Sequence, residues 1–138
     1  MIKTVKTIIA SLMLIALASP SLAAGVSPTE VAGAKTVTAA QAKELFDKGV
    51  MFLDVRKGSD WDAGRVPEAE HLELKKVFTA DSFGKVAKKG DPVVIYCNGE
   101  KCLRSSAACA KAVAWGYTNL YYFRDGFPAW KAAGYPTE

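Results

Sequence analysis

The sequence predicts an α/β domain whose mostly parallel sheet is covered by helices on both faces. Two observations support this prediction. Short apolar runs typical of buried strands recur along the chain, and segments with helical spacing stand between them. Alternation of strands and helices favours parallel pairing, because each crossover helix returns the chain to the same edge of the sheet. The 138 residues are enough for one such domain.

The first 23 residues have the pattern of a secretory signal peptide. Lys3 and Lys6 form a positively charged n-region, and an uncharged apolar run over 8–18 follows it. Ser21 and Ala23 place small side chains at positions −3 and −1 of a cleavage site after Ala23. We therefore predict a signal peptide over residues 1–23 and a periplasmic or secreted protein without stable membrane insertion after cleavage. An uncleaved membrane anchor is the alternative.

Residues 24–35 are mostly small and polar and predict a linker, so the domain is expected over residues 36–138. Loss of the two signal lysines lowers the formal net charge from +4 to about +2. The chain has no block of like charge and no interleaving of basic and aromatic residues, so nucleic acid is not expected as a partner. A single His, with no Cys/His pair at ligand spacing, predicts that there is no metal site.

The elements of the domain are predicted in order along the chain. Thr38 and Gln41 form a capping box for a first helix, which Gly49 ends. A buried strand over 50–55, a short helix near 59–63, a short strand over 71–74 and a helix over 82–89 follow. The strongest buried-strand signal, over 93–96, precedes a polar loop, an Ala-rich helix over 105–115, a strand over 120–123 and a last helix over 128–133.

Cys97 lies where the strand over 93–96 ends and the polar loop begins. Ligands of parallel sheets bind beyond the carboxyl ends of the strands. The free amides and the dipole of the helix after the loop favour an anion, and a thiolate is an anion. Gly99 lets loop amides turn inward, and Arg104 adds a planar cation for an oxyanion. We therefore predict that Cys97 is a nucleophile; an inert buried cysteine is the alternative.

Three segments, in order, resemble the rhodanese-like family. They are Leu53-Asp-Val-Arg56 with the following 60–67, the loop from Tyr96-Cys97 to Arg104-Ser105, and the closing 125–136. The resemblance extends over roughly residues 36–137. It implies a central, mostly parallel five-stranded sheet and thiosulfate sulfurtransferase activity without a cofactor. The cysteine would take sulfane sulfur from a small anionic donor such as thiosulfate, form a persulfide, and pass the sulfur to a thiol or cyanide.

The resemblance also implies the residues of the site. Cys97 would be the catalytic residue, and the substrate-binding loop would comprise Asn98, Gly99, Glu100, Lys101, Cys102, Leu103 and Arg104. Asp54 and Arg56 are expected to support the site as a salt bridge, and Arg65 either attracts anionic donors or is an ordinary surface residue. Arg104 stands seven positions after Cys97, whereas the family usually has five, and Arg65 replaces the usual His. The longer loop is similar to an exported subset carrying C-N-G-x-x-C-x-R.

Cys102 keeps a second class of function open. It is expected either to form a reversible disulfide or share a persulfide with Cys97, or to be a second free thiol that points elsewhere. With three cysteines, an exported chain has at least one free thiol or a bond to another chain. Cys109 is expected to pack within its helix. The alternatives are a thiol–disulfide protein with a redox partner, a non-catalytic sulfur-carrying or binding module, and a phosphatase or arsenate reductase.

Overall fold

The computed structural model describes residues 25–138, so the predicted signal peptide over 1–23 lies outside the described residues. The strands are β1 (Ala34–Thr36), β2 (Met51–Asp54), β3 (Glu70–His71), β4 (Val93–Tyr96) and β5 (Leu120–Phe123). The helices are α1 (Ala39–Asp47), α2 (Gly58–Ala63), α3 (Ala80–Val86), α4 (Arg104–Ala114) and α5 (Gly126–Ala132). Within residues 25–138, each helix is too short or too polar to cross a membrane.

The five strands form one sheet in the order β1-β5-β4-β2-β3, and every pairing is parallel. This confirms the predicted α/β fold. β4 is the central strand, with Val93 opposite Leu120 of β5 and Met51 of β2. All four of its residues are buried. Since both faces of β4 are covered, its sequence is a continuous apolar run rather than an alternating one.

Helices cover both faces of the sheet, as predicted, and each face has its own apolar core. On one face α3 and α4 contribute Phe83, Ala108 and Cys109. On the other face α1 and α5 contribute Ala42 and Trp130. The two cores lie on opposite sides of β4, so its carboxyl end is held in position from both sides.

The segment predicted to be a linker contributes to the sheet. Its last two residues, Ala34 and Lys35, belong to β1, which pairs with β5. Ser27, near its start, is 3% exposed. The Tyr122 hydroxyl donates to the carbonyl oxygen of Pro28 over 2.9 Å. β1 is an edge strand and carries no buried apolar residue, so it lacks the pattern by which buried strands are found in a sequence.

α3 and β3 differ most from their predicted bounds. α3 spans Ala80–Val86 rather than 82–89, because Thr79 and Ser82 form a capping box and Ala87 adopts an extended backbone. β3 contains only Glu70 and His71, although the chain beyond it still follows β2. There the Leu72 amide donates to the Asp54 carbonyl oxygen over 3.0 Å.

Candidate active site

Cys97 directly follows the central strand β4 and precedes the loop that leads into α4. It is 1% exposed and joins the core on the α3/α4 face of the sheet. The N-terminal turn of α4 begins seven residues further along the chain, beyond the carboxyl end of β4. This placement of the thiol at a strand end before a helix N-terminus matches the site predicted from the sequence.

Cys97 and Cys102 form a disulfide across the loop. Their Cα atoms are 6.3 Å apart, which lies within the range that disulfides require. Cys102 is half-buried, and its amide donates to the Gly99 carbonyl oxygen over 3.0 Å, which closes a tight turn. The structure thus represents the oxidised loop, and of the two interpretations of Cys102 it favours the one in which the second thiol reaches Cys97.

The backbone of the loop is held by the start of α5. The Phe127 amide donates to the Cys97 carbonyl oxygen over 2.9 Å. Gly126, which begins α5, has a φ of +63° and lies directly against the loop backbone. A Cβ atom added at Gly126 would lie 2.8 Å from the Gly99 amide nitrogen, too close for the two backbones to keep their positions. The last helix of the domain therefore positions the peptide of Cys97 itself.

We expect Gly126→Ala to lower the free energy of unfolding by about 2 kcal/mol or more, from the left-handed backbone and the contact with the loop. Gly134→Ala is the matched control, because Gly134 has a φ of +76° but nothing within 4 Å of an added Cβ. It should cost only about 1 kcal/mol. Urea unfolding measures the stability of both variants. Equal losses of stability would show that the close approach of Gly126 to the loop contributes nothing to the cost of the substitution.

Asn98, the residue after Cys97, is held through its side chain by two other side chains. Its amide nitrogen donates to Asp60 Oδ2 of α2 over 2.8 Å. Its amide oxygen accepts from Arg56 Nη1 over 3.3 Å. The loop is therefore tied to the segment after β2, where the sequence placed Arg56 as a supporting residue.

The Arg56 side chain is buried rather than exposed at the surface, and its guanidinium contacts several residues. Its Nη2 lies 2.7 Å from Asp54 Oδ2, and the side chains are only 3% and 0% exposed. Nη2 also donates to the Gly64 carbonyl oxygen over 2.6 Å. The guanidinium carbon lies 4.6 Å from the centroid of the Phe127 ring. Both members of the pair are thus satisfied by partners, which a buried ion pair needs, and the geometry fits the expected supporting salt bridge.

Glu100 is held by the N-terminal segment. Its carbonyl oxygen accepts from the amide and the hydroxyl of Ser27, over 2.7 and 2.8 Å. Its carboxylate lies 3.6 Å from Arg124 Nη1, and Arg124 Nη2 donates to the Ser27 carbonyl oxygen over 3.0 Å. The acidic side chain of the predicted anion-binding loop is therefore paired with an arginine that directly follows β5.

Arg104, the predicted oxyanion ligand, is the first residue of α4. Its Nη1 lies 3.7 Å from Glu73 Oε1. Within residues 25–138, three buried side-chain atoms have no hydrogen-bond partner: Arg104 Nη1, Ser105 Oγ and Arg124 Nε. Two of them belong to the first turn of α4. Unused donors at a helix N-terminus are the groups that an anion would satisfy.

The other predicted residues take different positions. Lys101 is exposed and Leu103 is half-exposed, at the rim of the loop. Arg65 lies elsewhere: its Nη2 is 3.4 Å from Glu138 Oε1, and its guanidinium packs on Trp61. The geometry assigns Arg65 a contact with Glu138. Cys109 is fully buried, and burial raises the pKa of its thiol to about 12, so this cysteine stays protonated.

Sequence reasoning missed four residues that shape the loop: Ser27, Glu73, Arg124 and Gly126. Ser27 lies in the segment predicted to be a linker, and Glu73 in a segment predicted to be a strand. Both are polar residues without a periodic pattern, so no local signal marked them. Gly126 offered one signal, since a glycine directly after Asp125 and before an apolar run is typical of a tight turn.

The fold and the site together define a parallel α/β protein with a cysteine loop between its central strand and a helix. The comparisons with known proteins agree with this class. The family model described as "Rhodanese-like domain" matches residues 38–133, so the chain belongs to the rhodanese-like family. This confirms the resemblance at the level of the family.

The chain is similar to a curated relative and to solved structures over about three quarters of its length. The chain is 30% identical over 105 residues to "Thiosulfate sulfurtransferase GlpE" of Pseudomonas savastanoi pv. phaseolicola, covering 75% of this chain and 92% of the relative. A structure from Rhodopseudomonas palustris, described as a protein of unknown function and possible tyrosine phosphatase, is 29% identical with a TM-score of 0.62, covering 76% and 85% of the two chains. The human single-domain sulfurtransferase TSTD1 shares the fold at 22% identity, with a TM-score of 0.62 and coverage of 72% and 96%. The family match and the 30% identity to GlpE support a sulfurtransferase at the level of the family.

Proposed function

We propose that this chain is a persulfide-forming sulfurtransferase whose sulfur carrier is Cys97. The observation that carries the proposal is the position of this thiol, at the carboxyl end of β4 and ahead of the first turn of α4. In that turn Ser105 Oγ and Arg104 Nη1, the latter 3.7 Å from Glu73 Oε1, have no hydrogen-bond partner and are suited to an anionic sulfur donor. The 30% identity to a thiosulfate sulfurtransferase supports the same chemistry.

In the reaction we propose, the reduced Cys97 thiolate attacks the sulfane sulfur of thiosulfate. The sulfur–sulfur bond of the donor breaks, sulfite leaves with the electron pair, and Cys97 carries a persulfide. An acceptor such as cyanide or a thiol then attacks the outer sulfur, and the Cys97 thiolate leaves. The helix N-terminus and Arg104 offset negative charge on the donor and the persulfide. A persulfide or polysulfide serves as donor by the same displacement.

We also propose where the protein works and with which partners. The pattern of residues 1–23 supports export to the periplasm or the cell exterior. There the partners would be a small anionic sulfur donor, a thiol or cyanide acceptor, and a redox protein that acts on the loop disulfide. The C-N-G-x-x-C-x-R loop, which is similar to that of an exported subset of the family, supports the same setting.

The disulfide supports a second candidate, a thiol–disulfide protein that uses Cys97 and Cys102. Their separation by four residues differs from the C-x-x-C of thioredoxin-like sites, which weakens this alternative. Insulin reduction by the reduced chain, without any sulfur donor, would support it. A non-catalytic sulfur-binding module would instead show neither insulin reduction nor turnover with sulfane donors.

The variant Cys102→Ser is best suited to detecting the persulfide, because its only thiols are those of Cys97 and the buried Cys109. We expect the reduced full-length variant, exposed to thiosulfate, to gain one sulfur atom on Cys97 and to release sulfite in equal amount. Site-resolved mass spectrometry and sulfite analysis measure these changes. The double variant Cys97→Ser/Cys102→Ser is the matched control and should gain no sulfur. No adduct with thiosulfate, persulfide or polysulfide would overturn the proposed function.

A further inference from the structure

We infer that Cys102 resolves the Cys97 persulfide within the chain, so that the protein releases sulfide and acts as a dithiol-dependent thiosulfate reductase. This inference rests on the proposed function and names its acceptor. In the wild type most of the sulfur would leave as hydrogen sulfide before an external thiol or cyanide reaches the persulfide.

The bond that this step forms is the one present in the structure. Cys97 Sγ and Cys102 Sγ are joined, and the Cα atoms are 6.3 Å apart. In a Cys97 persulfide, Sγ is the inner sulfur atom. The second thiol therefore reaches the atom whose attack expels the outer sulfur. A thiol that reached only the outer sulfur would carry the sulfur onward instead of releasing it.

The loop is built to keep Cys102 within reach. The turn from Gly99 to Cys102 is closed by a hydrogen bond of 3.0 Å, and Ser27 fixes the Glu100 carbonyl oxygen inside that turn. Arg124 contacts both Glu100 and Ser27. Held this way, Cys102 acts at an effective concentration far above that of any dissolved acceptor, so the internal attack precedes transfer to a second molecule.

Cys109 does not compete for this role. It is fully buried, and burial raises the pKa of its thiol to about 12, so it supplies no thiolate near neutral pH. Cys102 lies at the half-buried rim of the loop, next to the half-exposed Leu103. Among the chain's three cysteines, Cys102 is thus the one placed to resolve a persulfide on Cys97.

The three steps balance in atoms and electrons. The Cys97 thiolate and thiosulfate give a Cys97 persulfide and sulfite. The Cys102 thiolate attacks the inner sulfur, the sulfur–sulfur bond of the persulfide breaks, and hydrosulfide leaves with the electron pair. The two cysteines are then oxidised to the disulfide, and the sulfane sulfur is reduced. A protein dithiol attacks the more accessible Cys102 sulfur, leaves as its own disulfide, and returns Cys97 to the thiolate.

A single turnover tests the inference. The full-length chain is reduced, freed of reductant without air, diluted so that chains do not meet, and mixed with thiosulfate. We expect the wild type to release sulfite and sulfide in equal amounts and to end as the Cys97–Cys102 disulfide. Cys102→Ser and Cys102→Ala should release sulfite, keep the sulfur on Cys97, and yield at least about tenfold less sulfide. Cys109→Ala is the matched control and should match the wild type.

The outcomes separate the two proposals. If the wild type keeps its persulfide and releases no more sulfide than Cys102→Ser, internal resolution is wrong, while the sulfurtransferase proposal stands. If neither form releases sulfite, thiosulfate is not a donor, and both the reductase inference and the thiosulfate step of the proposed function fail. Thermal unfolding of both Cys102 variants shows that they are folded, and agreement between serine and alanine shows that the missing thiol, not the new side chain, causes the effect.

Discussion

Replacing Cys97 with serine is expected to lower the rate of sulfite release from thiosulfate, with an excess of dithiol reductant present, by at least about 10³-fold. A serine hydroxyl is protonated near neutral pH and is a poor nucleophile toward sulfur, so the persulfide cannot form. The residue is 1% exposed and nearly isosteric with serine, so the fold should persist. Steady-state assays of sulfite release with excess dithiol measure the rate, and circular dichroism measures the fold.

Cys109→Ala is the matched control for this prediction. Cys109 is also buried on the α3/α4 face of the sheet, but its side chain takes no part in the proposed site. Its loss should reduce stability by the removal of one small buried group and leave kcat within a few-fold of the wild type. Comparable rates for Cys97→Ser and the wild type would show that another group carries the sulfur.

Arg56→Met is expected to lower the free energy of unfolding by about 3–5 kcal/mol, because it leaves a buried carboxylate without its partner. Asp54 is fully buried, and Arg56 Nε donates to both of its carboxylate oxygens over 3.0 Å. Methionine preserves much of the volume of the side chain, so the loss reports the charge and hydrogen bonds rather than a cavity. Urea or guanidinium unfolding measures it.

The exposed pair Lys43–Asp47 supplies the control for Arg56. Its atoms are 2.6 Å apart, but the side chains are 26% and 58% exposed, so water screens both charges. Lys43→Met should change stability by no more than about 0.5 kcal/mol. The Arg56 variant should also weaken thiosulfate binding, since Asn98 loses one of its two side-chain partners. Similar losses of stability for Arg56→Met and Lys43→Met would mean that burial of the Asp54–Arg56 pair does not increase its contribution to stability.

Much of the fold was predictable from local patterns. The buried run that became β4 is continuous because helices cover both faces of the central strand, and the capping box of Thr38 and Gln41 begins α1 as expected. Cys97 stood out since it ends that run and opens a polar loop. Each of these signals lies within a few neighbouring residues, which is the range over which backbone propensity and side-chain periodicity act.

What the sequence determined by itself is the order of strands and helices, the central strand, and the thiol at its end. Only the tertiary structure decided how the loop around that thiol is held. Three contacts join residues that lie far apart in the chain. They are the hydrogen bond from Ser27 to Glu100, the hydrogen bond from Arg56 to Asn98, and the close approach of Gly126 to Gly99. Their side chains are polar or absent and follow no period, so the contacts exist only after the parallel sheet brings the segments to one edge. The Cys97–Cys102 pair lies between these cases, because its spacing allowed a disulfide, and the turn at Gly99 brought the two cysteines together.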